Sequence, residues 1–135
     1  MKVYLSVPMI ANRALERAKL MARAIEDSGN LVTSPWVLGP VEKTASPVDV
    51  FERDRMGSET CDLLVADVTE PSIGVGMEIM AAYKAGRKVV LVSRKGNVSS
   101  RMLQHMRGKE TLEYEHDSEV YDGLRRLLDK MARPS

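Results

Sequence analysis

Three features that would assign the chain to a broad class of protein are scarce or absent. Its 20 basic and 19 acidic residues leave a net charge of +1, so electrostatics favours neither a nucleic-acid groove nor an acidic membrane. The single cysteine, Cys61, excludes an internal disulfide, and its place beside an apolar run predicts a buried structural thiol more than a catalytic one. No apolar run approaches the ~20 residues that a membrane span needs. A small-molecule ligand fits this composition best.

Signals of targeting and of metal binding are also missing. Met1 and Lys2 lead directly into a short apolar strand with no signal peptide, from which we expect a cytoplasmic protein. His105 and His116 have no cysteine or acidic partner at metal-ligand spacing, so the sequence indicates no metal site. The chain has no repeats, and 135 residues are enough for one buried core and too few for two. We therefore predict a single domain over residues 1–135.

Short apolar runs alternate with segments of helical periodicity along the chain. Strands are predicted at 3–7, 31–33, 63–66, 87–92 and 112–114. The predicted helix starts are a cap at Asn12, a cap at Ser46, a position near Val75, and a cap at Asp117 or Ser118. This alternation predicts an α/β fold, a five-stranded doubly wound parallel sheet of the flavodoxin/Rossmann type with strand order 2-1-3-4-5. The segment 34–45 lacks periodicity and is predicted to be a binding loop.

The most informative stretch runs from Asp67 to Glu78 and reads D-V-T-E-P-S-I-G-V-G-M-E. It follows the apolar run at 63–66. A buried strand that ends in an acid, turns through proline, serine and glycine, and then opens a helix is how open α/β sheets build ligand sites. In the predicted strand order the switch point lies between strands one and three, so this turn borders the crevice. We predict that the functional site is there.

Glu78 is predicted to point inward from the helix that follows this turn. At about 100° per residue it shares a face with small apolar residues, among them Val75 and Ala82. The helix macrodipole lowers the pKa of such a carboxyl group, whereas loss of water raises it, so the two effects oppose each other. The alternative is that Glu78 caps its own helix by accepting hydrogen bonds from the N–H groups of residues 74–76.

Ser72, Gly74 and Gly76 suggest an anion site at the start of the same helix. Backbone N–H groups exposed by the glycines, with the Ser72 hydroxyl as a further donor, would bind phosphate. The dinucleotide fingerprint needs a third glycine where this chain has Ile79, so we reject a nicotinamide cofactor. No cofactor is predicted.

A second acid and a tyrosine are weaker candidates on the residues alone. On the helix Pro47–Thr60, the stripe predicted to face inward consists of Val48, Phe51, Arg55 and Ser58. Asp54 lies at the edge of that stripe, where it would reach the crevice; alternatively, the mixed charges of residues 52–55 only solvate a surface. Tyr4 lies in strand one, where an aromatic residue is ordinarily part of the core.

Four segments taken together resemble a known family. They are Y-L-S-V-P at 4–8, R-D at 53–54, the turn at 67–78, and S-S-R-M-L from Ser99 to 103. The chain is similar to the nucleoside 2-deoxyribosyltransferase superfamily, and within it most to the 2′-deoxynucleoside 5′-monophosphate N-glycosidases, or N-hydrolases. The resemblance implies a deoxyribosyltransferase-like domain that cleaves a deoxynucleotide to free base and deoxyribose 5-phosphate.

The resemblance also implies roles for individual residues. Glu78 matches the nucleophile that forms a covalent deoxyribosyl intermediate, and Asp54 matches the acid that protonates the leaving group and then activates water. Tyr4 matches the tyrosine beside the nucleophile. Ser72 and the amides near Gly74 match contacts to the 5′-phosphate. Ser100 matches a phosphate-binding serine that the neighbouring subunit of a homodimer contributes.

The chain departs from the family just after strand one. Pro8 and Ile10 stand where the family has serine and arginine, and Arg13 is either a replacement phosphate ligand or a solvated surface residue. Trp36 either stacks on the base or covers the core. The complete set of predicted substrate-binding residues is Ser6, Pro8, Ile10, Arg13, Trp36, Asp67, Ser72, Gly74, Gly76, Ser100 and Met102.

Two other functions use the same residues. In a nucleoside 2-deoxyribosyltransferase, a second base intercepts the intermediate in place of water, and Glu78 is needed equally. In a nucleotide-binding module without chemistry, the glycine-rich turn only holds a phosphorylated nucleoside. Neither the base nor the need for a phosphate follows from the motif.

Overall fold

A computed structural model describes residues 1–97 and 100–133. It contains a five-stranded parallel sheet in the order β2-β1-β3-β4-β5, which confirms the predicted topology. The strands are β1 Lys2–Ser6, β2 Leu31–Val32, β3 Leu63–Asp67, β4 Lys88–Arg94 and β5 Lys109–Tyr114. The helices are α1 Leu15–Asp27, α2 Pro47–Thr60, α3 Ile73–Lys84, α4 Arg101–His105 and α5 Val120–Ala132, with short 3-10 turns at Pro35–Leu38 and Asp117–Glu119.

Helices cover both faces of the sheet, and each face has its own core. Successive side chains of a strand point to opposite faces, so Val3 and Leu5 of β1 pack with α1 and α5, whereas Tyr4 packs with α3. Tyr4 pairs in register with Leu64 of β3, and Ser6 with Ala66. The α2–α3 face therefore carries both Tyr4 and Ser6 towards the carboxyl ends of the strands.

The start of α1 differs from the prediction. Asn12 does not cap the helix, because its φ of 61° places it in a left-handed turn three residues before Leu15. Asparagine adopts this conformation more easily than most residues. Its side-chain Nδ2 instead donates a hydrogen bond to the carbonyl oxygen of Pro71 at 3.2 Å, which joins the loop after β1 to the loop after β3.

Helix α2 begins as predicted but is rotated from the predicted stripe. The Ser46 hydroxyl accepts a hydrogen bond from the Asp49 amide, as an N-cap should. Val48 and Phe51 are 69% and 49% exposed, however, and of the predicted inward residues only Ser58 is buried; Arg55 pairs with Glu52 and Glu59 along the helix. A Cβ atom at Gly57 would lie 2.6 Å from the Tyr4 ring, so this close contact sets the rotation of α2.

The other boundaries shift by a few residues. Helix α3 begins at Ile73, with Ser72 as its N-cap, and α4 was not predicted. Neither Asp117 nor Ser118 caps α5; both lie in a 3-10 turn in which the His116 amide donates to Glu119 at 2.7 Å. In the described part of the chain, no helix is both long and apolar enough to cross a membrane. The cytoplasmic location stays a prediction.

Candidate active site

A cavity of about 610 Å³ opens at the carboxyl ends of β1 and β3. This is the switch point of the strand order, where open α/β sheets bind ligands, and the volume is in the range of small-molecule sites. Residues that line it come from β1, the loop before α2, α2 itself and the start of α3. They include Tyr4, Ile10, Trp36, Val41, Arg53, Asp54, Ser72, Gly74 and Glu78.

The structure places Glu78 on the sheet-facing side of α3, where its helical position predicted it. The carboxylate lines the cavity, and its Oε1 accepts a hydrogen bond from the Ser6 hydroxyl at 3.0 Å. Ser72, not Glu78, caps the helix: its Oγ accepts from the Val75 amide at 3.4 Å. The carboxylate of Glu78 is therefore not occupied in capping its own helix.

The pKa of Glu78 is raised to about 7, chiefly by burial. The nearby negative charge of Asp54 acts in the same direction, whereas the hydroxyl groups of Tyr4 and Ser6 and the charge of Arg53 act in the opposite direction. Of the two opposed effects considered from the sequence, loss of water is the larger. A carboxyl group with this pKa exchanges its proton near neutral pH.

Tyr4 lies fully buried beside the two acids. Its ring meets Trp36 edge-on, with 6.1 Å between the centroids. Burial, followed by the charges of Glu78 and Asp54, raises the pKa of Tyr4 far above its ordinary value, so the hydroxyl keeps its proton. Within residues 1–97 and 100–133 this hydroxyl makes no hydrogen bond of regular geometry, although the carboxylates of Glu78 and Asp54 are close enough to interact with it. It is thus a proton donor held ready at the cavity.

Asp54 is half-buried and is paired with the residue before it. The Nε of Arg53 lies 3.0 Å from Asp54 Oδ1, and the same guanidinium lies over the Trp36 ring, 4.2 Å from its centroid. Its Nη1 is 3.6 Å from Glu42 in the preceding loop. Arg53 was missed as a site residue by sequence reasoning, although its position next to Asp54 in the R-D motif was a usable signal.

The proposed phosphate end of the site has exposed backbone. Ser72 and Gly74 line the cavity, and apart from the neighbours of Gly74 and the backbone of α3, no described residue has an atom within 4 Å of where a Cβ of Gly74 would be. Ile10 also lines it and is 90% exposed, whereas Pro8 is buried and does not. Arg13 donates to the carbonyl oxygens of Val37 and Gly39, so the structure places its guanidinium on the loop after β2.

Asp67 lies on the other face of the sheet. Its Oδ2 accepts from Arg17 Nε at 2.8 Å, and its Oδ1 accepts from the Thr69 amide at 3.1 Å. Both charged side chains are almost completely buried. The structure therefore does not bring Asp67 to the cavity that holds Glu78.

Comparison with protein-family models gives no match. A protein of Thermofilum pendens that carries the name 2′-deoxynucleoside 5′-phosphate N-hydrolase 1 is 39% identical over 104 residues, which are 74% of this chain and 73% of that protein. The chain belongs to the 2′-deoxynucleoside 5′-phosphate N-hydrolase family. It is accordingly an enzyme, an N-glycosidase, as the resemblance in the sequence implied. A protein of the same name from Methanococcoides burtonii is 31% identical over 110 residues, which are 76% of this chain and 89% of that protein.

Solved structures agree with this family at the level of the fold. The CMP N-glycosidase of Clostridium botulinum superposes with a TM-score of 0.74 over 94% of this chain and 97% of its own, at 20% identity. A 2-deoxyribosyltransferase from Bacillus psychrosaccharolyticus gives a TM-score of 0.70 over 95% of this chain and 96% of its own, also at 20% identity. The N-hydrolase chain thus has a deoxyribosyltransferase-like fold.

A second groove of this N-hydrolase chain lies beside the cavity and shares Ser72 with it. Gly76, Ser100 and Met102 line this groove and not the cavity of Glu78. The Ser100 hydroxyl caps α4 by accepting from the Met102 amide at 3.2 Å. Ser99 lies outside the described residues. Ser100 therefore does not line the cavity of Glu78 in its own chain, and its predicted contact with the phosphate from a neighbouring subunit stays a prediction.

Proposed function

We propose that the enzyme hydrolyses the N-glycosidic bond of 2′-deoxynucleoside 5′-monophosphates through a covalent intermediate on Glu78. The observation that carries the proposal is the half-buried carboxylate of Glu78, which faces a nucleotide-sized cavity beside Asp54 and Tyr4. The two acids suit the double-displacement route of retaining glycosidases, in which one acts as nucleophile and the other as acid and base.

In this route the bonds and protons balance in two steps. A Glu78 oxygen bonds to the anomeric carbon while the bond to the base breaks, and Asp54 gives its proton to the departing base. Asp54 then takes a proton from water, and the hydroxide oxygen attacks the same carbon and frees Glu78. The products are the free base and deoxyribose 5-phosphate. Tyr4 donates a hydrogen bond to the carboxylate oxygen that is not bonded to the sugar.

The start of α3 suits the 5′-phosphate of the substrate. The Ser72 hydroxyl and the exposed amide of Gly74 stand where the helix N-terminus attracts an anion. The names of the relatives support a phosphorylated substrate: two archaeal proteins are named for 2′-deoxynucleoside 5′-phosphates, and a rat protein, 35% identical over 71 residues, for 5-hydroxymethyl-dUMP. Those 71 residues are 50% of this chain and 44% of the rat protein.

A homodimer is part of the same proposal. The groove beside the cavity exposes apolar side chains of α3 and α4, among them Met80, Tyr83 and Met102. A second copy seated there would cover them and would bring its Ser100 to the phosphate end of the first site. Sedimentation equilibrium tests this directly. A protein that is monomeric at concentrations where its specific activity is maximal would contradict the homodimer.

The decisive experiment is release of base from a panel of substrates. The wild-type enzyme is incubated with each deoxynucleoside monophosphate and with each matching nucleoside, and the products are separated by chromatography. We expect base and deoxyribose 5-phosphate from at least one monophosphate, and intact-mass analysis of a slow-substrate reaction should show deoxyribose 5-phosphate attached to the protein.

Two controls separate the alternatives. Adding a different free base converts the substrate into a new nucleotide only if the enzyme is a transferase. Replacing Glu78 with Ala while measuring nucleotide binding by calorimetry identifies a binding module, which keeps its affinity and has no turnover in either form. If the wild-type protein releases no base from any member of the panel, the proposal is wrong.

A further inference from the structure

Thr69, in the loop between β3 and α3, is held at all three of its polar atoms. Its amide donates to Asp67 at 3.1 Å, its carbonyl oxygen accepts from Asn97 Nδ2 at 2.6 Å, and its hydroxyl lies 2.7 Å from the Tyr114 hydroxyl. These partners belong to β3, to the turn after β4 and to β5. Thr69 is itself buried, so each of these bonds replaces one that water would have made.

Tyr114 is fixed in turn by two arginines. The Arg17 guanidinium lies 5.5 Å from its ring centroid and that of Arg94 lies 5.7 Å away. Arg17 is anchored by Asp67 at 2.8 Å, and both arginines contact Asp117. The Tyr114 hydroxyl therefore presents a well-defined partner to Thr69 from the face of the sheet opposite Glu78.

The residues that follow Thr69 have little packing of their own. Residues 70, 71, 73 and 74 are exposed and Ser72 is half-buried, so the chain next enters the core at Val75. Ser72, which we assign to the phosphate, thus lies in a short span held at Thr69 and Val75. A further tether from another loop is the hydrogen bond from Asn12 to Pro71. Glu78, by contrast, lies on the packed part of α3, between Val75 and Ala82.

We infer that the hydrogen bond between Thr69 and Tyr114 is a positioning contact, which holds the β3–α3 loop so that Ser72 and the first amides of α3 meet the 5′-phosphate. The inference rests on the proposed function for the identity of that ligand. Because the loop and the packed part of α3 are anchored separately, loss of the contact should weaken binding of the phosphate more than it slows bond cleavage.

The variants Tyr114→Phe and Thr69→Val each remove one hydroxyl and keep the shape of the side chain. We expect each to raise KM for a deoxynucleoside monophosphate about three- to tenfold, the usual consequence of losing one hydrogen bond. We expect kcat to change less than about twofold, and kcat/KM for the nucleoside without phosphate to stay the same. The double variant should match the single ones, since both remove the same bond.

The matched control is Tyr121→Phe, which removes a tyrosine hydroxyl that bonds to Asp27 between α5 and α1. It should leave both substrates unaffected. A loss of general stability would change kinetics with both substrates alike, so equal effects on the monophosphate and the nucleoside would overturn the inference. An unchanged KM for the monophosphate in both Tyr114→Phe and Thr69→Val would overturn it as well.

Hydrogen exchange tests the same contact without any turnover. Amides of residues 70–76 should exchange faster in Tyr114→Phe than in wild type or in Tyr121→Phe, and titration with inorganic phosphate should protect them less. If the wild-type enzyme releases no base, the proposed function fails, but these two measurements still decide the positioning contact. Exchange and phosphate protection equal to wild type would refute it.

Discussion

Asp67, which is buried, and Glu78, which is half-buried, are two carboxylates at the same end of one sheet, on opposite faces. Asp67 is matched by the Arg17 guanidinium at 2.8 Å and by the Thr69 amide. Glu78 receives a hydrogen bond from the Ser6 hydroxyl, with a like charge on Asp54 nearby and an open cavity in front of it. Asp67 begins and Glu78 ends the same twelve-residue motif, yet Asp67 is paired with an arginine whereas Glu78 faces the cavity.

The comparison shows how burial alone fails to identify a functional acid. A buried charge with a full set of partners contributes to structure. Removing one partner leaves the other charge unpaired in the low-dielectric interior, which destabilises the fold. A buried carboxyl group with incomplete partners has a raised pKa and tends to mark a functional site. We therefore expect opposite responses to mutation at Glu78 and Asp67, which four measurements can test.

The largest contrast should be in catalysis. Replacing Glu78 with Gln removes the nucleophile, and we expect base release to fall by roughly a thousandfold or more. The measurement is the initial rate of base release from the best monophosphate. The control is Glu26→Gln, an exposed glutamate of α1 that should keep the wild-type rate. A Glu78→Gln rate within about tenfold of wild type would remove the nucleophile assignment.

The reverse contrast should be in stability. Replacing Asp67 with Asn leaves the buried Arg17 without its buried partner charge and with only the more exposed Asp117, and we expect a loss of about 3–5 kcal/mol in the free energy of unfolding. Urea denaturation measures it. The control is Glu16→Gln, which breaks an exposed pair with Lys19 and should change stability by less than about 1 kcal/mol. Equal losses for the two variants would show that the buried pair is not specially matched.

Glu78 should itself destabilise the fold at neutral pH. Its pKa is about 7 in the folded protein and 4.5 as the ordinary value, so the folded state binds its proton more tightly than the unfolded state does. The penalty is absent below about pH 4.5, grows as the pH rises towards 7 and is constant above that. Glu78→Gln should therefore raise the free energy of unfolding by on the order of 3 kcal/mol at pH 8 and leave it unchanged at pH 4. A destabilised variant at pH 8 would contradict this sign.

The smallest contrast should appear in the pH dependence of the reaction. The proposed nucleophile, Glu78, reacts only as the carboxylate, and its pKa of about 7 means that this form is lost as the pH falls below that value. We expect kcat/KM for a nucleoside, which has no phosphate of its own to titrate, to fall by up to about tenfold per pH unit below 7 and to level off above it. A rate that stays constant between about pH 5 and pH 7 would contradict this protonation state of Glu78.

Much of the architecture followed from the order of residues. Alternating strands and helices determined the topology, because parallel strands with crossover helices leave few arrangements, and Ser46 marked the start of α2. The inward position of Glu78 followed from the helical period alone. The family resemblance then implied a reaction and a role for each residue, which hydrophobic periodicity cannot indicate.

Only the folded structure showed which of the two acids is paired with an arginine and which faces the cavity. Asp67 meets Arg17, fifty positions away in the chain, and the rotation of α2 depends on Gly57 packing against Tyr4; neither contact has a local signature. The direction of the Glu78 pKa depends on how much water the packed cavity removes. Hydrophobic periodicity and secondary-structure propensity are local properties, so they can be read from the sequence. Desolvation and charge pairing depend on distances that exist only after the chain has folded.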